Sequence, residues 1–164
     1  VTPFLFDQVV EFTLRHEGGL TQDPLDPGGL TNFGISQRAF PDLDVAALTR
    51  EEAIEIYRAH YWRPLRCDEL PAQVAILLFE CGVNQGVPTA TRLLQLAVGV
   101  RADGRIGPAT LEAVRRHPHD DLAAELCARR ALEYAKLPPF RLDRYGFGWM
   151  RRLMECYRFA LVHG

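Results

Sequence analysis

At 164 residues, 48% apolar and 24% charged, the chain has the make-up of an ordinary soluble globular protein and the length of one domain. Its formal net charge of −2 gives no electrostatic argument for nucleic acid or for an anionic membrane surface as partner. No stretch approaches the roughly 18 uncharged apolar residues that cross a bilayer, so no membrane insertion is expected.

The opening segment, VTPFLFDQVVEF, lacks a basic run and carries Asp7 and Glu11, unlike a signal peptide. Synthesis in the cytoplasm without a leader is therefore the expectation. The first predicted helix runs from Phe4 to about His16, with Phe6, Val9, Val10, Thr13 and Leu14 at helical spacing and Gly18-Gly19 as its stop. The segment that follows, GGLTQDPLDPGGLTNFGIS, is too dense in Gly, Pro, Asp and Thr for a helix. It reads as a compact loop with one short β-hairpin or ribbon.

Thr49-x-x-Glu52 is a capping box, in which each side chain bonds an otherwise unpaired amide of the first helical turn. It predicts a helix to about Tyr61 whose apolar face is Ala53, Ile56, Tyr57 and Tyr61. Pro71 precedes AQVAILLFECGV, long enough for a buried helix rather than a strand. Further helices are predicted over Thr89 to Val98, from Pro108 to about His117, from Asp120 or Asp121 to about Lys136, and from Gly148 to Val162. Phe147 and Trp149 then fall in a Gly-flanked turn before a basic helix start, with packing as their role. The result is a mainly α, single-domain chain (1–164) with a small irregular or β-hairpin lobe after its first helix. Cys67, Cys81, Cys127 and Cys156 lack metal-ligand spacing and read as free buried thiols. The five histidines show no H-x-x-x-H pattern, and no metal is expected.

One constellation carries chemistry. Glu17 stands at the predicted helix end, Asp26 follows inside D-P-L-D-P-G-G, and Thr31 comes five residues later. Glycoside hydrolysis needs a carboxylic acid to protonate the leaving oxygen and usually a second carboxylate across the sugar. A polar loop stiffened by Pro24 and Pro27 and folded over a helix end brings three such groups around one ring. The plain alternative is a solvated Glu followed by ordinary Asp-Pro and Pro-Gly-Gly turn chemistry.

The ordered run H-E-G-G-L, then D-P-L-D-P-G-G-L-T-N-F-G-I-S (His16 to Ser36), resembles glycoside hydrolase family 108, the lysozyme-like N-acetylmuramidases of phages and of some bacterial secretion loci. Leu20 stands where that family usually has an aromatic residue, and Ser36 where it has Thr. E-E-A-I-E-I-Y-R-A-H-Y-W-R-P-L (Glu51 to Leu65) and F-E-C-G-V-N-Q-G (Phe79 to Gly86) resemble its second and third blocks, with Glu80 in place of the common Asp. Residues 1–86 hold these motifs. Residues 87–164, with D-G-R-I-G-P-A-T and G-F-G-W-M-R-R, resemble the family's predicted peptidoglycan-binding segment.

The resemblance implies a lysozyme-like fold with Glu17 as the catalytic acid. The order Glu17, Asp26, Thr31 also resembles the Glu-Asp-Thr set of phage-type lysozymes, in which Asp and Thr hold the attacking water and the product is inverted; Asp23 is a rival for Asp26. Asn84 is then expected to hydrogen-bond substrate. Glu80, one turn away on the same helix face, reads either as a substrate ligand or as half of a salt bridge to an Arg. Tyr61 and Trp62 are candidates for stacking on a sugar face, with core packing as the alternative for Tyr61. His16 adjoins Glu17 but points about 100° away around a helix.

The implied function is hydrolysis of the β-1,4 bond between N-acetylmuramic acid and N-acetylglucosamine by a monomer that needs no cofactor, with peptidoglycan glycan strands as partner. A phage endolysin and a secretion-associated lysozyme both fit. The rival readings are a lytic transglycosylase and a non-catalytic wall-binding module.

Overall fold

The computed structural model describes residues 4–17, 20–22 and 29–164. Helix α1 (Leu5–Glu17) turns Leu5, Phe6, Val9, Val10, Phe12 and Thr13 inward at the three- and four-residue spacing of a face that meets a core. It ends on Glu17 itself, which places that side chain at the border with the small lobe.

Strands β1 (Thr21–Gln22), β2 (Leu30–Asn32) and β3 (Ile35–Ser36) form an antiparallel sheet in that order, with Thr31 opposite Thr21 on one side and Ser36 on the other. Phe33 and Gly34 join β2 to β3 with φ of 51° and 76°. A tight two-residue hairpin of type I′ needs this left-handed conformation at both central positions. Buried Asn32 anchors the lobe, its amide donating to the carbonyls of Val45 and Leu48.

Helix α2 (Arg50–Tyr57) opens on the expected capping box: Thr49 Oγ1 accepts from the Glu52 amide at 3.2 Å and Glu52 Oε2 from the Thr49 amide at 2.9 Å. It continues into a π-helical turn, Arg58–Trp62, where the Arg63 amide donates to the Arg58 carbonyl. A short 3₁₀ turn, Cys67–Glu69, leads to α3 (Ala72–Gln85), in which every residue from Val74 to Gly82 is buried. A helix apolar all round belongs at the centre of a fold. Helices α4 (Val87–Ala97), α6 (His119–Ala135) and α7 (Pro139–His163) pack around it, with α5 (Pro108–Arg116) beside the α4–α6 connection. One continuous buried cluster runs from Leu5 of α1 to Ala160 of α7.

Two predicted starts shift. Helix α4 begins at Val87 because Gly86, at φ 88°, breaks the path from α3 and Pro88 suits a first turn. Helix α7 begins at Pro139, nine residues before the expected Gly148, and spans 25 residues. Gly146 and Gly148 are helical; each costs about 1 kcal/mol relative to Ala, which lowers the local signal without ending a helix held by packing further along. Phe147 and Trp149 are therefore helical rather than in a turn. Trp149 packs on Tyr134, as its expected role requires, while Phe147 is 83% exposed and does not.

All four thiols are free and buried, as expected. Burial pushes Cys81 and Cys127 up to about 11, which makes them poor nucleophiles. Among the described residues no helix is long and apolar enough to cross a membrane.

Candidate active site

The Glu17 carboxyl is enclosed from three sides. Its Oε1 lies 2.5 Å from Arg152 Nη1 of α7. Its Cγ and Oε2 lie 2.7 Å from the point where a Cβ on Gly34 would sit, and Tyr57 Oη is equally near that point. Tyr57 Oη donates to the Phe33 carbonyl at 2.8 Å, tying the β2–β3 turn to α2. Only glycine fits this turn, because of its positive φ and because any side chain would displace the carboxyl. Glu17 keeps 19% of its side chain exposed. Burial and the neighbouring Glu17 charge both push the Tyr57 and Tyr61 hydroxyls above their usual range.

Arg152 also grips Glu80. Its Nε and Nη2 donate to Glu80 Oε2 and Oε1 at 3.0 and 3.1 Å, and Thr13 Oγ1 donates to Oε1 at 2.6 Å. Glu80 is fully buried. Burial opposes its charge, but the Arg152 charge and the hydrogen bonds from Arg152 and Thr13 outweigh it and hold the carboxyl below its usual 4.5. For Arg152 the order is the same: burial disfavours the cation, and Glu80 and Glu17 more than restore it. Glu17, Arg152 and Glu80 thus form a chain from the cleft into the core.

The other sequence-predicted residues divide. Tyr61 is half-buried and lines a cavity of about 680 Å³ with Phe40, His60, Gly86 and Val87. Asn84 lines a second cavity, of about 340 Å³, and its Oδ1 accepts from Tyr134 Oη at 2.7 Å. Thr31 is half-buried on β2, in the strand that leads into the Gly34 turn. Asp23 and Asp26 lie outside the described residues. Two placements correct the expectation of sugar contact. Trp62 is 1% exposed, edge-on to Phe6 and Phe79, with its indole N–H donating to Asp68 at 2.8 Å. It is a core residue, turned inward by the π-helical turn. Glu80, fully buried and spoken for on both oxygens, takes the salt-bridge alternative rather than the substrate one. His16 faces away from the cleft, its Nε2 bonded to Glu155.

Arg152, Tyr57 and Gly34 are the site residues that sequence reasoning missed. For Arg152 a signal exists: 149, 153, 156 and 160 share a helical face, and 152 lies beside it whereas 151 does not. For Gly34, the Phe-Gly pair between two alternating stretches marks a hairpin turn, but nothing local shows what presses on it. Among the described residues no group of His, Cys, Asp and Glu is placed to hold a metal ion.

This arrangement, a partly buried glutamate between a helical body and a β lobe, is that of a lysozyme-like hydrolase. Residues 10–86 match the family described as Glycosyl hydrolase 108, and residues 89–154 match one described as a predicted peptidoglycan domain. A solved structure, that of Brucella abortus SagA, superposes with a TM-score of 0.89 at 34% identity, over 96% of this chain and 94% of that one. No curated protein matches the chain. The chain belongs to the glycosyl hydrolase 108 family and is a glycoside hydrolase acting on peptidoglycan. The border between the two matched segments falls at the α3–α4 junction, yet Arg152 of the second grips Glu17 and Glu80 of the first.

Proposed function

We propose that this chain is an N-acetylmuramidase that cleaves the β-1,4 bond between N-acetylmuramic acid and N-acetylglucosamine, with Glu17 as the general acid. The observation that carries this reading is the placement of Glu17: a carboxyl fixed through Oε1 by Arg152, open at the cleft, and next to an aromatic cavity of glycan size. Oε2 then carries the proton that passes to the glycosidic oxygen as the bond breaks. Tyr61 offers its ring to a sugar face in the adjoining cavity. Asp26 and Thr31 hold a water that attacks the anomeric carbon from the opposite side, which inverts its configuration. Asp23 is the alternative to Asp26. Because Arg152 joins the two family segments, both act as one unit, a monomer whose glycan-strand substrate lies in the cell wall. A phage endolysin and a secretion-associated lysozyme are the two roles this activity serves, each reaching the wall by a holin or another export route.

The test is digestion of purified sacculi by the wild type and by Glu17→Gln. Glutamine keeps the size and the Arg152 contact but has no proton to give, so the rate is expected to fall by about 10²–10⁴ or more with the melting temperature nearly unchanged. Retention of more than about a tenth of the rate removes Glu17 from the acid role. Mass spectrometry of the released muropeptides separates the two enzyme classes. Hydrolysis leaves a reducing end, whereas an anhydro end identifies a lytic transglycosylase and overturns the water-attack step. Release of no product at all leaves wall binding as the function.

A further inference from the structure

Two cavities of different chemistry are lined by helix neighbours of the residues that hold Glu17. Tyr57, which crowds the carboxyl, is one helical turn before Tyr61 of the larger cavity. Arg152, which grips it, is three residues past Trp149 of the smaller one. The cavities adjoin at the end of α3, where Gln85 lines the smaller and Gly86 the larger. Residues one helical turn apart have Cβ atoms about 5–6 Å apart, so a group branching from a sugar at the scissile bond can reach either side.

The larger cavity is walled by Phe40, Leu43, Tyr61 and Val87. The smaller, about 340 Å³, has an aromatic wall, Trp149 stacked on Tyr134 at 5.2 Å and 14°, with Tyr145 tilted against Trp149 at 5.7 Å. Its polar groups are arranged as donors. Tyr134 Oη occupies the oxygen of Asn84 and leaves the amide nitrogen to donate. Glu133 is neutralised by Lys136, while Arg141 has no ion-pair partner among the described residues. An unpaired guanidinium beside an amide donor and a flat aromatic wall matches a carboxylate-bearing, peptide-like group. A glycan strand without stems offers hydroxyls, acetamides and a lactyl carboxylate close to the sugar, whereas the peptide stem carries its carboxylates several bonds further out, where they can reach the smaller cavity.

Resting on the muramidase reading, we propose that the smaller cavity is a subsite for the peptide stem, in which Arg141 binds a stem carboxylate and Asn84 donates to a stem carbonyl. The enzyme then selects stem-bearing strands over bare ones. The test measures kcat/KM on soluble strands with intact stems and on the same strands stripped by an amidase that cuts the lactyl–peptide bond. Losing one charge-assisted contact is worth about tenfold or more, so the wild-type ratio of intact to stripped is expected at about ten or above. In Arg141→Ala the ratio should fall close to one. Arg141 is exposed, so that variant is expected to fold, and Asn84→Ala, checked for an unchanged melting temperature, supplies an independent second reading. A wild-type ratio near one, or a ratio that stays at ten in both variants, overturns the stem subsite. Wild type that cleaves neither substrate overturns the hydrolytic reading instead, so the two failures are distinct.

Discussion

Glu17 and Glu80 are held by the same guanidinium, yet one belongs to the rim of a cleft and the other to the core. At the rim, Glu17 gives one oxygen to Arg152 and keeps a fifth of its side chain exposed. In the core, Glu80 has no exposure and spends both oxygens on Arg152 and Thr13. The difference teaches that a carboxylate's partners, rather than its residue type, separate chemistry from scaffolding. A carboxylate satisfied on both oxygens has nothing left to offer a substrate; one held, among the described residues, through a single oxygen is both fixed and available. Glu80 is the counter-charge that lets a cation stand behind the acid in a mostly buried position.

Removing the shared cation is the most damaging way to break this comparison. Arg152→Ala removes the cation that hydrogen-bonds Glu80 at both oxygens and leaves it only the charge of buried Arg130, and breaking a buried pair in this way typically costs about 3–5 kcal/mol; it also frees Glu17. Urea denaturation should show that loss, and turbidity of sacculi should show no lysis; a stable, active Arg152→Ala would mean that the chain from rim to core is decorative. Arg152→Lys restores charge but not the fork that serves Glu80 at two points, so partial recovery at most is expected.

A second break separates the core end by pH. The Glu80 carboxyl is held below its ordinary 4.5 in the folded protein, so its contribution to stability is in place above 4.5 and drains away as pH falls through the lower, folded value. Glu80→Gln has no such group to titrate. Its unfolding free energy, less than wild type at neutral pH, should vary less below pH 4.5, and the two curves should converge there; parallel curves would argue against a charged Glu80.

Gly34→Ala acts at the rim alone. The new Cβ meets the Glu17 carboxyl and Tyr57 Oη at 2.7 Å in a backbone conformation that disfavours it. A stability cost of about 1–3 kcal/mol is expected, with lysis impaired beyond what that cost explains because the acid is displaced. Smallest is Tyr57→Phe, which removes the bond to the Phe33 carbonyl and should cost about 1 kcal/mol by thermal melt.

The sequence discloses elements that local chemistry dictates. The Thr49 box, the largely apolar α3 and Pro108 at the head of α5 each carry their own signal, and so does Glu17 at the end of α1. The Glu80 salt bridge was readable as an alternative because a charge on an apolar helix demands a partner. What stayed hidden depends on distant contacts. Nothing near Trp62 announces a π-helical turn, and its position beside Tyr61 in an aromatic pair pointed outward rather than in. Arg152 comes to Glu17 across almost the whole chain, and helix phase alone separates it from Arg151. Gly146 and Gly148 masked the first part of α7, since a helix interior tolerates glycine when packing elsewhere holds the helix.

The span between Glu17 and Arg152 also orders events during synthesis. A ribosome adding roughly 5–20 residues per second makes the first of these residues on the order of 10 s before the second. Throughout that interval Glu80 lacks the guanidinium that hydrogen-bonds it, and the inner faces of α1 and α3 have no α7 to close upon. A nascent chain therefore cannot finish its core piecemeal from the N-terminus, and the cluster at Glu17 assembles in the same step that seats α7. A product clipped ahead of Arg152 loses both guanidinium hydrogen bonds to its central carboxylate, and its expected fate is unfolding and proteolysis rather than survival as a weakened enzyme.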